Sequence, residues 1–551
     1  MKHDNYKENQ DGRDWCPLPD DLMSRLPPWV CSPWLFPVVG VLALFWFLIR
    51  VIPKPTRARY PCQRVAMPVA FGFLGWIGGM LASVTSFRRM KGFLRKGRYV
   101  LAVFCVVGVA VGAWFAIDQI APERFLWADT VEHFVPSDKP NDPMGRGRGI
   151  NPGRVVWVRD MGATRWDGKT GHWWDAESIN QNVVDKMVSM GLRRLTGKKE
   201  DSTAWEALFR HFNRSKKGND AGYRKGEKIA IKVNFNNSGY RWKGNGLNTS
   251  PQMILALLRQ LIEKAGIPED EITVYDASRL IGDPVWKLCH GAFPGVRFVD
   301  REGKKGRIKA RPDRSVAVHY ADTSLPDSGK TFLPKCVTGA RYLINLALLK
   351  GHSLAGVTFN AKNHFGSVWR EADKDKWNAG WSPGHMHETV SVHQYRDFPP
   401  RELGTYTPLV ELMGHAHLGG KTLLFFIEGL YGAPHQSCEP EEWESEPFNG
   451  NWPASILVSQ DHVAIESVGL DFCRSEPTLK KYVRGAVDNY LHEAAEAKKP
   501  PSGSQYDPEG DETGLGSLGV HEHWNDVQRK QYSRDLGRDH GIELMRVENK
   551  E

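Results

Sequence analysis

The residues with the most capacity for chemistry gather in three short clusters, each at the end of an apolar run. Lys232, Asn234 and Asn236 close IAIKVNFNN, and Lys350 and His352 close YLINLALLKGH, with Lys362, Asn363 and His364 shortly after. Asp461, His462 and Glu466 follow ASILVSQ. Amines and amides that converge can neutralise carboxylate or phosphate oxygens. Burying so many ionisable groups among apolar and small residues costs several kcal/mol each unless something compensates them. Lys232, Asn234, Asn236, Lys350, Lys362 and Asn363 are therefore the candidate binding residues for an anionic small molecule. The competing reading is that they are solvated strand ends.

A second chemistry is available to the imidazoles and carboxylates. His352, His364, Asp461 and Glu466 are the candidate catalytic residues, as general acids or bases, and also the candidate ligands of a divalent metal, zinc, manganese or iron. Nine of the nineteen histidines fall between His352 and His462. The H-x-H pairs at His385/His387, His415/His417 and His521/His523 match no helical H-E-x-x-H motif and suit a strand or loop. Bland roles compete: Asp461 is well placed to cap a helix beginning at DHVAIESVGL, and any single histidine readily serves a polar network. Cys289, Cys336, Cys438 and Cys473 are isolated. With no C-x-x-C spacing, neither a zinc ribbon nor an iron–sulfur cluster is expected. These four either pair in an oxidising compartment or stay unpaired in the core.

The elements that must position these groups alternate along the chain. Strand signals occur at RVVWVRD, KIAIKVNF, EITVYDAS, GVRFVDRE, SVAVHYAD, ARYLINLALL, KTLLFFIEGL and ASILVSQD. Helix periodicity marks SINQNVVDKMVSMGLRRL and TSPQMILALLRQLIEKAG, the latter with Ser250 to cap it, Pro251 at its first position and Gly266 to close it. The pattern predicts an α/β domain with a mainly parallel or mixed sheet flanked by helices. In such sheets ligands bind beyond the carboxyl ends of strands, where all three clusters are placed by the sequence. The Trp-rich stretch WVRDMGATRWDGKTGHWWD is either core or a stacking surface for sugars.

The charge is distributed unevenly. The 551-residue chain carries +9, yet eleven lysines and arginines lie between Arg50 and Arg98 with no acid among them, so the remainder sums to −2. These positives sit in loops between the apolar segments Trp34–Ile49, Val65–Val84 and Tyr99–Ile117, a membrane pattern and not the footprint of a nucleic-acid binder. Val65–Val84 is Gly-rich and reads as either a span or a re-entrant hairpin. The expected organisation is an N-terminal segment (1–33), a retained membrane anchor (34–120), a Pro/Gly-rich linker (121–153) and a main domain (154–551). That domain is expected outside the cytoplasm of a bacterial-type cell, tethered by a transmembrane helical region.

The string KVNF…TSPQMILALLRQLIEKAG…VYDAS…LLKGH…AKNHFG…VSQDHVAIESVG resembles family 362 of the domains of unknown function, in a secreted or membrane-anchored subgroup. The family's Lys-x-Asn strand corresponds to Lys232 and Asn234, its Lys-x-His pair to Lys350 and His352, and its Lys-Asn-x-x-Gly turn to Lys362, Asn363 and Gly366. Its Asp-x-x-Ala-x-Asp segment corresponds to Asp461, Ala464 and Glu466, with glutamate where aspartate is usual. The Cys-rich ferredoxin-like segment of some members is absent here. The resemblance implies an α/β domain, often exported, without an established reaction, and it implies that the Lys/His pairs line the ligand site. Function is thus expected to be that of an enzyme-like domain for an anionic small molecule, with or without a metal. The alternatives are a non-catalytic cofactor-binding or envelope-assembly module and, more weakly, a carbohydrate-binding domain.

Overall fold

The computed structural model describes residues 36–51, 61–118, 138–236, 239–322, 330–371, 380–381, 384–394 and 399–549. The N-terminal segment 1–33 and residues 121–137 of the expected linker lie outside these. The chain divides into two compact units, residues 1–135 and 136–551.

In the first unit, helices α1 (Phe36–Val51), α2 (Pro61–Arg95) and α3 (Tyr99–Asp118) coincide with the three apolar segments. Val65–Val84 belongs to a single unbroken helix that runs on through Arg88, Arg89 and Lys91, so the re-entrant alternative is not realised. No helix among the described residues is long and apolar enough to cross a membrane.

The second unit is built on a ten-stranded mixed sheet. Its strands are β2 (Arg154–Asp160), β3 (Ile229–Lys232), β4 (Ile272–Asp276), β5 (Arg297–Asp300), β6 (Ile308–Lys309), β9 (Tyr342–His352), β10 (Gly356–Val357), β11 (Thr422–Ala433), β12 (Ser455–Ser459) and β14 (Glu543–Asn549). They run in the order β14-β2-β12-β11-β9-β3-β4-β5-β6, with β10 paired to the end of β9. Every neighbouring pair along that order is parallel except the two that involve β12, which opposes both β11 and β2. Outside the main sheet, β1 (Met144–Gly145) pairs with β13 (Val520–His521), and β7 (Pro312–His319) with β8 (Lys330–Pro334).

Alternation along the strands supplies a core on each face. Val156 and Val158 of β2 pack into one core, with Val184 and Leu192 of α4 (Gln181–Thr196), Leu208 of α5 (Asp201–Lys217) and Ile254 and Leu258 of α6 (Pro251–Arg259). Val155 and Trp157 pack into the other, with Ala361 of α7 (Asn360–Asn363), Ile465 and Phe472 of α8 (His462–Arg474) and Leu491 of α9 (Asn489–Ala495). Helix α6 begins as its residues demand: Ser250 accepts from Met253 N at 3.1 Å and Pro251 occupies the first turn, while Gly266, at φ +71°, ends the π-helical continuation.

The Trp-rich stretch is part of the core. Trp157, Trp166 and Trp173 are buried, Trp166 stacks on Trp452 with centroids 5.4 Å apart, and the half-buried Trp174 stacks on His172 at 4.5 Å, so the stretch presents no pair of exposed coplanar indoles. Cys289, Cys336, Cys438 and Cys473 are free thiols.

Candidate functional site

Strand order reverses at β3. Its successors β4 and β5 extend the sheet to one side, while β9 lies on the other. The crevice beyond the carboxyl ends of β3 and β9 is therefore a topological switch point, the usual place for a ligand in an open α/β sheet. A cavity of about 260 Å³ opens there.

Lys232, Asn234 and Asn236, leaving β3, all line this cavity, as do Asp276 and Arg279 from the end of β4, His352 from the end of β9, and Lys362 and Asn363 of α7. Lys232 is fully buried. Its ammonium donates to Asp276 Oδ2 at 3.2 Å, Asn363 Oδ1 at 2.9 Å and Val233 O at 2.6 Å. Asp276 Oδ1 meanwhile accepts from Ser278 N and Oγ, each at 3.0 Å. Asn363 passes the network on, donating to Asn345 Oδ1 at 2.8 Å. A buried charge so completely hydrogen-bonded is a rigid floor for a site. Gly366 belongs to that floor, since a Cβ there would sit 2.7 Å from Lys232 Nζ and 2.8 Å from Asp276 Oδ1.

The remaining cations have no such counter-charge. Lys362 is buried, stands over the Phe365 ring at 4.1 Å and reaches His387 Nε2 at 3.2 Å. Burial, with Arg279 and Lys350 nearby, brings its amine down to about 7. Lys350 is buried just behind the cavity with its Nζ unpartnered, and burial followed by Arg279 brings it likewise to about 7. Arg279 makes no ion pair among the described residues. With Lys232 matched by Asp276, the excess charge is positive.

His352 contributes differently from what its residue type suggests. Its Nδ1 accepts from Leu354 N at 3.1 Å and Ala355 N at 3.2 Å. Burial and the nearby Lys362, His387 and Lys350 hold its pKa well below the ordinary histidine range. A neutral ring whose Nδ1 lone pair is occupied must carry its proton on Nε2. In that arrangement His352 presents a donor, and not a lone pair, to the cavity.

His364 lies outside the cavity. It is fully buried and bonded through Nε2 to Asn345 Nδ2 at 3.1 Å, beside His462, which stacks on Phe425 with centroids 4.2 Å apart. Asp461 and Glu466 are also elsewhere. Because β12 is antiparallel, its carboxyl end faces the opposite edge of the sheet from that of β9. There Asp461 caps α8 by accepting from Ala464 N at 2.9 Å, and it also holds Arg148 N at 2.7 Å. Glu466 is buried and accepts from Ala361 N and from Tyr490 Oη, each at 2.6 Å. His352, His364, Asp461 and Glu466 thus do not meet at one point, and no metal centre is assembled from them.

Three of the other clustered histidines are tied to backbone. His393 Nε2 lies 2.7 Å from Tyr482 O, His415 Nε2 lies 3.0 Å from Ala317 O, and His435 Nδ1 accepts from Ser437 N at 3.2 Å. Conversely, Asp276, Arg279 and Gln436 line the cavity without having been singled out. The signal for the first two was VYDASR at the end of β4, adjacent to β3 once the parallel order is known. Gln436 carries no sequence signal of its own.

Residues 229–471, which include every cavity-lining residue, match the family described as a domain of unknown function, DUF362. No curated protein matches the chain.

Proposed function

We propose that this DUF362-like domain binds a small anionic molecule, a carboxylate or phosphate compound, in the crevice between β3 and β9. The observation that carries the reading is the convergence of Lys362, Arg279 and the Nε2–H of His352 on a cavity whose one lining carboxylate, Asp276, is already paired with Lys232. Charged and neutral donors around a half-enclosed space are the complement of an anion. Lys232, Asn234 and Asn363 orient the floor, while Lys362 and Lys350 supply the neutralising charge.

The enzyme-like reading is favoured over a display module because the groups converge and are not scattered. Lys362 and His387, 3.2 Å apart with the amine near 7, form a pair able to give or take a proton from a bound substrate. A metal at this cavity is not favoured, given how His352 is held. The first unit serves in this proposal as the membrane anchor. Its helices leave Leu42, Phe45, Val103 and Phe104 exposed, and the basic residues around Arg50–Arg64 and Arg88–Arg98 flank them. The main domain then lies outside the cytoplasm.

Calorimetric titration of the full chain with sulfate and with a dicarboxylate tests the reading. Saturable one-site binding, weakened at least about tenfold by Lys362→Met, is expected from the loss of one buried charge-assisted contact. Binding unchanged in Lys362→Met would overturn it.

A further inference from the structure

Away from the cavity and outside the family match, a second constellation gathers around α9. Asp488, at the N-terminus of that helix, lies one turn before His492, and the C-terminal segment brings His521 and His523 over both. The four side chains offer ligand atoms that all lie within 4.8 Å of one another.

The two histidines of the C-terminal segment are presented in one particular way. Ser467 Oγ donates its single proton to Val463 O at 2.9 Å, so at 2.8 Å from His521 Nδ1 it can only accept. That places the His521 proton on Nδ1 and leaves a lone pair on Nε2, a buried atom with no hydrogen-bond partner. His523 Nδ1 lies 2.6 Å from Asp471 Oδ1, and Asp471 Oδ2 is in turn held by Tyr532 Oη at 2.8 Å and Trp524 N at 3.1 Å. Its Nε2 is also buried without a hydrogen bond, 3.6 Å from Asp488 Oδ2. His492 Nε2 faces the same carboxylate oxygen at 3.1 Å. A histidine whose far nitrogen is anchored by a carboxylate or hydroxyl while its near nitrogen points at a common centre is the arrangement found around bound metals.

Charge points the same way. Asp138, Asp471 and Asp488 are buried here against a single cation, Arg474, which bonds Asp138 at 2.6 and 3.0 Å. So acidic a surrounding favours a cation at the point where the imidazole nitrogens converge.

We propose that Asp488, His492, His521 and His523 bind one divalent transition-metal ion of the zinc class. Three imidazoles and a carboxylate suit zinc, and four protein ligands leave no open position, so the site is structural and not catalytic. Tetrahedral zinc sets ligand atoms about 3.4 Å apart. Closure of the widest pair from 4.8 Å therefore takes a shift of about 1.4 Å, within reach of side-chain rotation. The ion replaces the proton shared by His492 and Asp488, and His492, which is partly exposed, is the side from which it enters. Its effect is to fasten Val520–Trp524, and with it the approach to edge strand β14, onto α8 and α9.

The test uses the full chain, purified without chelator, then stripped and reloaded with zinc or cobalt alone. One equivalent retained after desalting is expected, with a raised melting temperature and, for cobalt, the strong visible absorption of a tetrahedral site. His492→Ala and His521→Ala should each weaken zinc binding at least about 100-fold, while Lys362→Met keeps the metal and His492→Ala keeps its sulfate affinity. If His521→Ala does not fold, the partly exposed His492→Ala decides. A folded wild type that takes up no metal, or a folded His492→Ala that still binds it as tightly, would overturn the proposal. The cluster would then be an imidazolium–carboxylate network.

Discussion

Anion binding in the β3/β9 crevice should take up protons, by an amount that follows from two amines. Lys350 and Lys362 are each brought to about 7 by burial and by neighbouring cations. A bound dianion supplies the missing counter-charge and returns both toward the ordinary lysine range of about 10.4. In the free chain at pH 8 each amine is then only about one-tenth protonated, so binding draws in roughly 1.8 protons; at pH 6 it draws in roughly 0.2. Affinity should fall by up to about 100-fold per pH unit well above pH 7 and level off below it. Sulfate is the right probe because it stays fully ionised across this range. Calorimetry in two buffers of different ionisation enthalpy reads the uptake directly, and Lys362→Met should cut it to about one proton at pH 8. Sulfate binding with the same affinity at pH 6 and pH 9, and with no buffer dependence, would refute the reasoning.

Three further outcomes follow from the same geometry. Lys362→Met should stabilise the ligand-free chain although it weakens binding. The folded amine is depressed to about 7 while the unfolded one titrates near 10.4, so the cost of burying its charge is full below pH 7 and fades as pH rises toward 10. A denaturant melt at pH 6 should show a gain of about 2–4 kcal/mol that shrinks at pH 9; a loss at pH 6 would contradict this. Gly366→Ala forces a methyl against Lys232 Nζ and Asp276 Oδ1, and should cost about 1–3 kcal/mol together with most of the sulfate affinity. A neutral result in the melt would mean that the floor is not rigid. Asp461→Ala removes the cap of α8 and should cost about 1–2 kcal/mol while leaving sulfate affinity unchanged, and a large loss of binding would return Asp461 to the site.

Much of the architecture could be read from pattern alone. The strand runs from Arg154 to Ser459 and the Ser250–Gly266 helix appear where alternation and capping place them. The Lys232-x-Asn234-x-Asn236 spacing does bring three side chains into one cavity. What pattern could not reveal was direction. An apolar run such as ASILVS buries equally well parallel or antiparallel, and β12 is antiparallel, so Asp461 ends at the far edge of the sheet from Lys350 and His352, while Glu466, further along α8, is taken up by Ala361 N and Tyr490 Oη. Nor does a residue's type disclose which lone pair is free. His352 has its Nδ1 occupied by backbone, whereas His521 and His523, noted only for their spacing, have the open nitrogens. Arg279 joins the site through β4, and only the strand order puts it beside β3.

The most direct test of the anion site is to see an anion in it. Crystals soaked in selenate, with anomalous diffraction measured at the selenium edge, would locate the bound ion. One strong peak is expected in the β3/β9 crevice, within hydrogen-bond reach of Lys362 Nζ and His352 Nε2 and facing Arg279. Selenate bound only elsewhere, or absent from the crevice at concentrations that saturate sulfate binding in solution, would contradict it.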